Sequence, residues 1–387
     1  MKQKIIRITT VPGSLLGLLK GQLQFMSEYF DIIGISSSGE GLLEEMGKFE
    51  KVKTIPVEMT RKITPIQDLI AVYKLYKILK KEKPLIVHSH TPKAGTLGML
   101  AAKLAGVPHR LHTIAGLPLV EAKGLKRILL NAVEKITYKC ANKIYPNSYG
   151  LKDIILDNNF TKEDNLKVIG NGSSNGIDTN HFNKDNYDNT QINELRESLG
   201  IKLNDFVFIF VGRLVKDKGI NELIDAFNLL SSKNNTVKLL LVGKYEDHID
   251  PLKRNTTEII DSNRNVISVG WQDDVRPYFA ISNALTFPSY REGFPNVVLQ
   301  AGAMRLPCIV SDINGCNEIV TNNENGLIIP VKDKNSIYQA MTNFLSLPQE
   351  KLTEMGNISR QKIVTNYDQK FVWNSILNEY KSVISKN

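Results

Sequence analysis

The chain has 387 residues, of which 42% are hydrophobic and 23% charged, and this is the composition of a globular protein. Its length favours two domains of about 150–200 residues each. No stretch approaches the roughly 18–20 consecutive apolar residues that cross a bilayer, and the basic start does not have the pattern of a secretory signal. The three cysteines show no metal-binding spacing, and their odd number favours a reducing cytoplasm over a disulfide framework.

The positive charge is concentrated in the first half of the chain. The formal net charge is +9; residues 1–190 contain 27 Lys and Arg against 18 Asp and Glu, whereas the remainder contains 22 of each. A basic half can bind nucleic acid, an anionic membrane surface or phosphorylated substrates. The sequence has neither a C2H2 zinc-finger spacing nor an RNP-like aromatic motif, so we expect no nucleic-acid partner.

Short β-branched runs alternate with amphipathic helical runs along the chain. In the first half the pattern predicts strands at residues 5–9, 30–35 and 85–90 and helices at residues 69–81 and 94–105. In the second half it predicts strands at residues 206–212, 237–243, 266–270, 284–287 and 307–311 and helices at residues 219–230, 297–304 and 369–384. We therefore expect an α/β protein with two doubly wound parallel-sheet domains that face each other across a cleft.

Composition marks the boundary between the two predicted domains. Residues 175–193 are rich in Asn, Asp, Gly and Thr and have little apolar periodicity, which predicts a linker. The first domain is then expected over residues 1–180 and the second over residues 191–368. The final helix, in residues 369–387, is expected to cross back to the first domain.

Two cations follow the first strand of the second domain. Gly212 allows the backbone to turn, and Arg213 and Lys218 come next. The carboxyl ends of parallel strands form the edge where ligands bind, and two cations there suit a diphosphate. A solvated basic loop explains the same residues equally well.

A second loop is predicted to lie at the same edge. The stretch Ser289-Tyr-Arg-Glu-Gly-Phe-Pro-Asn-Val-Val-Leu-Gln300 links a short buried strand to a helix. Glu292 can accept hydrogen bonds from sugar hydroxyls, and the N–H groups of Asn296 and Val297, after Pro295, favour an anion at the helix start. The alternative is that Glu292 is a plain helix N-terminal acid, stabilised by the helix macrodipole.

Together these two loops resemble the family 4 glycosyltransferases of GT-B fold, through Gly212-Arg-Leu and Lys218-Gly219, then Pro288-Ser and Glu292-Gly-Phe-Pro295. The likeness covers nearly the whole chain. It includes His88-Ser-His-Thr-Pro-Lys-Ala-Gly95, Leu111-His-Thr-Ile-Ala-Gly-Leu-Pro118 and Val310-Ser-Asp-Ile-Asn-Gly-Cys-Asn-Glu318. It is greatest for members that build bacterial capsules, O-antigens and lipid-linked oligosaccharides.

The resemblance implies retaining transfer from a nucleotide-sugar, by family habit a UDP-sugar, without a metal or other cofactor. It implies that Arg213 and Lys218 bind the diphosphate and that Glu292 contacts the donor sugar. The other residues that it assigns to the donor site are Gly13 and Ser14, in a loop of the first domain that closes over the donor, and Gly212, Pro295, Asn296, Val297 and Gln300. The absence of an Asp-x-Asp pair from the sequence agrees with a metal-free reaction.

Two positions depart from the family pattern. Most relatives have Glu at position 300, where it binds the nucleotide ribose, whereas this chain has Gln300. Glutamine retains one acceptor, so we expect a loss of about 1 kcal/mol. Many relatives also have a histidine where this chain has Ala115, and His112 is only a weak substitute, because a strand-end histidine bonded to the backbone is the favoured explanation of it.

The first domain offers candidates for the acceptor site. His90 and Lys93 precede the predicted helix at residues 94–105, where the phosphates of a polyprenyl-diphosphate-linked sugar acceptor could lie; a plain helix cap is the alternative. His112 and Gly116 are the other candidate acceptor-binding residues. Residues 125–136 are amphipathic and basic, which suits either a membrane surface or packing on the domain.

The resemblance therefore implies a hexosyl- or N-acetylhexosaminyl-transferase acting on a lipid-linked bacterial surface glycan. We expect it in the cytoplasm, attached peripherally to the inner face of the cytoplasmic membrane through anionic lipids. Two alternatives remain open. One is another GT-B enzyme, such as a nucleotide-sugar epimerase or a sugar phosphorylase; the other is a non-catalytic basic module that binds membrane or nucleic acid.

Overall fold

The computed structural model describes residues 2–60, 62–117, 119, 122–246, 248 and 250–385. Pro118, which ends one of the family-like stretches, and residues 386–387, which end the predicted final helix, lie outside the described residues. The chain forms two compact units, Met1–Gly176 with Lys370–Asn387, and Ile177–Gln369. Each unit is described by itself.

The first unit is built around a six-stranded parallel sheet. Its strands are β1 (Lys4–Ile8), β2 (Asp31–Ser36), β3 (Lys53–Pro56), β4 (Ile86–Ser89), β5 (His109–Ile114) and β6 (Lys143–Pro146). They lie in the order β3-β2-β1-β4-β5-β6, with every neighbouring pair parallel. Both β1 and β4 are almost wholly buried, as expected for apolar strands covered by helices on both faces.

In the described residues of the first unit, six helices connect these strands and a seventh follows β6. They are α1 (Pro12–Leu19), α2 (Gln22–Ser27), α3 (Leu42–Glu50), α4 (Pro65–Glu82), α5 (Pro92–Ala105), α6 (Gly124–Cys140) and α7 (Tyr149–Asp157). The strand order reverses between β1 and β4, and ligands of such sheets bind where the order reverses, beyond the carboxyl ends of the strands.

The second unit repeats this architecture. Its strands are β7 (Phe206–Val211), β8 (Val237–Val242), β9 (Val266–Gly270), β10 (Ala284–Phe287), β11 (Cys308–Ser311) and β12 (Gly326–Ile329). They lie in the order β12-β11-β10-β7-β8-β9, again all parallel, so the order reverses between β7 and β10. The helices are α8 (Asn189–Ser198), α9 (Ile220–Lys233), α10 (Arg254–Ser262), α11 (Arg276–Ala280), α12 (Asn296–Ala303), α13 (Cys316–Ile319), α14 (Lys334–Ser346) and α15 (Gln349–Tyr367).

The last helix, α16 (Gln369–Ser385), belongs almost entirely to the first unit. Its residues Val372, Ile376 and Tyr380 are buried in one core cluster with Ile5 of β1 and Leu15 of α1. The chain thus passes twice between the units, and residues of the second unit next to the two crossings pair with each other. The N–H of Ile177 donates to the Tyr367 carbonyl at 2.9 Å, and the N–H of Gln369 donates to the Ile177 carbonyl at 3.0 Å.

The polar stretch of residues 177–193, predicted as part of a linker, is an ordered part of the second unit. Ile177 is buried in its core, and Phe182, Tyr187 and Ile192 pack against that core. Asp188 forms a capping box at the start of α8. The Asn and Asp residues form turns and caps here, and the boundary between the units, after Gly176, falls near the start of the predicted linker.

Gly13 and Ser14 lie in the first turns of α1 and not in a loop. Pro12 occupies the start of this helix, where its fixed φ suits helical geometry and its missing N–H costs no hydrogen bond. The N–H of Ser14 donates to the carbonyl of Val11 at 3.0 Å. The prediction of a glycine loop at this position was therefore wrong in its local structure.

The predicted α/β class with two doubly wound parallel sheets is confirmed. Each predicted strand and helix is present, with strand ends shifted by at most one residue. The prediction missed β3, β5, β6 and β12, which are short or contain several polar residues. Within the described part of the chain, no helix combines the length and the apolar composition needed to cross a membrane.

Candidate active site

The predicted site residues of the second unit meet at the carboxyl edge of its sheet. The loop after β7 contains Arg213 and Lys218, the loop after β10 contains Glu292, and α12 begins directly after that second loop. Because β7 and β10 are neighbours at the reversal of strand order, these loops lie side by side. The position is the one at which an open α/β sheet binds ligands.

Lys218 and Glu292 form an ion pair at the centre of this edge. Their side chains are only 16% and 15% exposed, and the Lys218 ammonium lies 5.5 Å from the ring centroid of Phe287. Gly219 allows the loop after β7 to lie directly against the loop after β10. A Cβ at that position would lie 2.1 Å from the carbonyl oxygen of Pro288, so the two loops touch backbone to backbone. The pair is therefore fixed by close packing of the loops.

Asn314, in the loop after β11, holds the backbone around Glu292. Its side-chain amide donates to the carbonyl of Glu292 and, at 3.2 Å, to that of Gly293. Next to it, Gly315 has a φ of +77°, and a Cβ there would lie 2.6 Å from the Gly293 carbonyl oxygen. The loop that presents Glu292 is thus held from two neighbouring strand ends.

Arg213 makes a second, more open ion pair. Its Nη1 donates to Oε2 of Glu246 at 2.9 Å, and the two side chains are 42% and 19% exposed. Glu246 follows β8, which neighbours β7, and so it lies on the same sheet edge. In this state each predicted diphosphate-binding cation is paired with a carboxylate of its own unit.

The start of α12 provides backbone donors beside the ion pair. Pro295 is the N-cap, and Asn296 and Val297 form the first turn, where helical N–H groups have no partner within the helix. Gln300 lies one turn further along, and the side chains of all three helical residues are half-buried. The arrangement suits an anion at the helix start, with Gln300 along one side of it.

The histidines in the family-like stretches of the first unit are buried, whereas the charged predicted site residues of the second unit are partly exposed. His88 forms two hydrogen bonds, one of 2.6 Å between its Nδ1 and the Tyr380 hydroxyl and one of 2.7 Å between its Nε2 and the Thr113 hydroxyl. Arg7 Nε donates to His90 Nε2 at 2.9 Å, so His90 is an acceptor and neutral. Burial, with the neighbouring charge of Arg7, holds the pKa of His88 and of His90 well below the ordinary value.

The other predicted acceptor residues also have partners within the first unit. His112 Nδ1 lies 2.9 Å from the Ser89 hydroxyl and 3.3 Å from the Ser89 carbonyl, and burial lowers its pKa to about 4. This matches the alternative of a structural strand-end histidine. Lys93 donates to Asp68 of α4 at 2.6 Å, which links the starts of α5 and α4. Gly116 follows β5, close to the residues that the structure does not describe.

The sequence did not single out Glu246 or Asn314. Both lie just beyond strands on the predicted ligand-binding edge, so the rule that located Arg213 could also have found them. Asn314 was even part of a family-like stretch, but its role depends on the position of Glu292, which is distant in sequence. Among the described residues, no group of three or more His, Cys, Asp or Glu side chains could hold a metal ion.

Comparison with known proteins decides the family. The family model of glycosyl transferases group 1 matches residues 191–362, and that of glycosyl transferase 4-like proteins matches residues 19–148. The chain is 34% identical to the Staphylococcus aureus capsular polysaccharide biosynthesis glycosyltransferase CapM, with 100% of this chain and 98% of that protein covered. The chain belongs to the family 4 glycosyltransferases.

A second relative and a solved structure resemble this glycosyltransferase over similar lengths. The present chain is 30% identical to the Escherichia coli UDP-Gal:alpha-D-GlcNAc-diphosphoundecaprenol alpha-1,3-galactosyltransferase, with 95% of this chain and 94% of the relative covered. The structure of Anabaena HepE in complex with UDP matches it with a TM-score of 0.80 and 18% identity, covering 99% and 100% of the two chains. The enzyme class and the GT-B fold are therefore confirmed.

Proposed function

We propose that this glycosyltransferase moves a hexosyl or N-acetylhexosaminyl group from a UDP-sugar to a lipid-diphosphate-linked acceptor, with retention of anomeric configuration, during synthesis of a bacterial surface glycan. The observation behind the proposal is the Lys218–Glu292 pair, set beside Arg213 and the start of α12. The names of the relatives support it: one is a capsular enzyme, and another takes UDP-Gal and a diphosphoundecaprenol-linked sugar.

The ion pairs suggest how the donor is bound. A diphosphate would take the place of Glu246 on Arg213 and of Glu292 on Lys218, because phosphate oxygens are strong acceptors for both cations. Glu292 then becomes available to accept hydrogen bonds from the sugar hydroxyls. Gln300 would hold a ribose hydroxyl with its amide.

Bond breaking places negative charge on the leaving UDP. The anomeric C–O bond to the diphosphate breaks, the acceptor oxygen bonds to the anomeric carbon on the same face, and the acceptor proton passes to the departing phosphate. Arg213, Lys218 and the first N–H groups of α12 would stabilise the charge that develops, usually the largest contribution to catalysis. Because these groups supply the positive charge, we expect activity to persist after treatment with EDTA.

Thermal unfolding with a panel of nucleotide-sugars tests the donor. A true donor at one hundred times its dissociation constant should stabilise the protein by about 2.7 kcal/mol. The stabilising donor is then incubated with a lipid-diphosphate-linked sugar, and NMR of the product gives the anomeric configuration. An inverted product, or stabilisation by GDP-sugars alone, would contradict the proposal. Conversion of the free nucleotide-sugar without glycoside formation would indicate an epimerase.

A lipid-linked acceptor also implies a membrane nearby, so we propose peripheral attachment to the inner face of the cytoplasmic membrane. The charge of the two units supports this. The first unit contains 29 Lys and Arg against 16 Asp and Glu, a net of +13, whereas the second contains 20 against 24, a net of −4. Each cation near an anionic surface contributes about 1 kcal/mol, so the first unit is the expected membrane-facing part.

A further inference from the structure

The first unit exposes large apolar side chains at the starts of two helices. They are Ile66, Leu69 and Ile70 of α4 and Leu125, Ile128 and Leu129 of α6, each between 48% and 85% exposed. We call these six residues the tip surface. Buried residues begin only at Ala71 in α4 and at Glu134 in α6, so the first turns of both helices extend beyond the core. Exposed apolar surface of this kind marks an interaction site.

The two tips lie at the same edge of the first unit. Helix α4 leads into β4, α5 into β5 and α6 into β6, and these three strands are adjacent and parallel. Helices that connect parallel strands run opposite to them, so all three begin at the carboxyl edge of the sheet. Helix α5 packs between the other two, and the tips of α4 and α6 therefore flank its start.

The α4 tip is held in a defined position. The N–H and hydroxyl of Thr64 donate to Asp68 at 3.3 and 3.0 Å, and Lys93 at the start of α5 donates to the same carboxylate at 2.6 Å. The carboxylate of Asp68 is thereby neutralised by a partner. This contact gives Lys93 a structural role, which is to fix the α4 tip against α5.

The charges around the tip surface indicate its partner. Lys62, Lys123 and Lys126 are exposed beside the tips, within a unit whose net charge is +13. Tyr73 is also exposed, and the Lys77 ammonium lies 4.5 Å from its ring centroid, a combination suited to a lipid headgroup region. A second copy of the chain would bring lysine against lysine, whereas an anionic bilayer complements them.

We propose that the tip surface inserts into the headgroup and upper acyl region of an anionic bilayer and so positions the first unit on the membrane. The proposal rests on the lipid-linked acceptor of the proposed function. It adds an apolar, salt-resistant component to the electrostatic attraction. Two helix starts that contact the membrane at one edge would fix the orientation of the unit as well as its attachment.

The test is flotation of the full chain with vesicles of phosphatidylglycerol and phosphatidylcholine. Leu69→Ser combined with Leu125→Ser should lower the partition coefficient by about tenfold for each leucine, because each removes one buried side chain without changing charge. The matched control is Leu203→Ser, at a 75% exposed leucine of the second unit, which should bind like the wild type. At high salt the wild type should keep measurable binding and the double variant none.

The following results separate this proposal from its rivals. Unchanged binding by the double variant, or complete loss of wild-type binding at high salt, would overturn insertion. A wild-type dimer in sedimentation velocity that the double variant converts to a monomer would assign the surface to a second copy. Transfer to a short, water-soluble acceptor should be equal in wild type and double variant. If neither shows transfer while vesicle binding still depends on the leucines, the proposed function fails and the membrane surface stands.

Discussion

The carboxyl edges of the two sheets have the same architecture but differ in the burial and the bonding partners of their charged groups. In the second unit Arg213 and Lys218 are each paired with one carboxylate and remain partly exposed. In the first unit Arg7, His88 and His90 are buried; Arg7 donates to His90, and His88 is hydrogen-bonded to Tyr380 of α16. The second edge can exchange its partners for a ligand, whereas the first fixes its own helices.

Burial, and not the presence of polar residues, therefore separates a binding edge from a structural one. A buried polar network is costly to open, because each group left without a partner loses its hydrogen bonds. The more open Arg213–Glu246 pair is worth little and is readily replaced, whereas the Lys218–Glu292 pair, with side chains 16% and 15% exposed, exchanges only for a ligand that offers Lys218 stronger acceptors. The interaction surface of the first unit accordingly lies on its projecting helix starts and not on its histidines.

The largest expected effect concerns pH. His88, His90 and His112 are neutral in the folded chain because burial lowers the pKa of each, to about 4 for His112. In the unfolded chain each has a pKa near 6.5, so below that pH the unfolded state binds protons that the folded state does not. Stability is therefore present above about pH 6.5 and lost as the pH falls, by about 4 kcal/mol in total between pH 7.5 and 5.5.

Urea unfolding at the two pH values measures this loss. Trp271→Phe leaves Trp373 of α16 as the fluorescent reporter of the first unit. In that background His248→Asn, at an exposed histidine of the second unit, is the control that should not alter the pH dependence. A first unit equally stable at both pH values would show that these histidines are accessible to protons, which would remove the contrast between the edges.

The next effect tests the exchangeable edge. Lys218→Ala and Arg213→Ala should each lower kcat/KM by roughly 30- to 1000-fold, because each removes a charge that stabilises the leaving diphosphate. This corresponds to a loss of about 2–4 kcal/mol in transition-state stabilisation. The control is Arg254→Ala, whose side chain is 93% exposed and pairs with Glu258 within α10. Near wild-type turnover in both site variants, with unchanged unfolding midpoints, would remove this edge from the reaction.

The sequence predicted the second edge better than the first for a physical reason. Alternating strands and helices put the loops after β7 and β10 on one edge of the sheet, so the local pattern predicts that Lys218 and Glu292 share that edge; the strand order then makes the two loops neighbours. The first edge depends on partners that no local pattern reveals, such as Tyr380, 292 residues from His88. The pairing of Lys93 with Asp68 was missed for the same reason. The rule that helix N-termini bind anions does not say whether a carboxylate of the chain already lies there.

A smaller effect is expected at position 300. If Gln300 binds the ribose, Gln300→Leu should raise the donor KM about fivefold, corresponding to about 1 kcal/mol for a lost hydrogen bond. Gln300→Glu should keep the activity or raise it slightly, since a carboxylate accepts from ribose hydroxyls more strongly. Steady-state kinetics at varied donor concentration give both values. A donor KM unaltered by leucine would make position 300 a plain helix residue.

The smallest effect asks whether Glu246 competes with the donor for Arg213. The Arg213–Glu246 pair is partly exposed, and such pairs contribute about 0.2–1 kcal/mol, so Glu246→Gln should tighten UDP binding by about 1.4- to 5-fold. Calorimetry at low and high salt measures it, and the gain should shrink as salt screens the charge. Glu258→Gln removes the partner of Arg254 in the same way and should leave UDP binding unchanged. Weaker UDP binding in Glu246→Gln would instead mean that Glu246 holds Arg213 in the conformation that receives the diphosphate, and the second edge would then share the fixed character of the first.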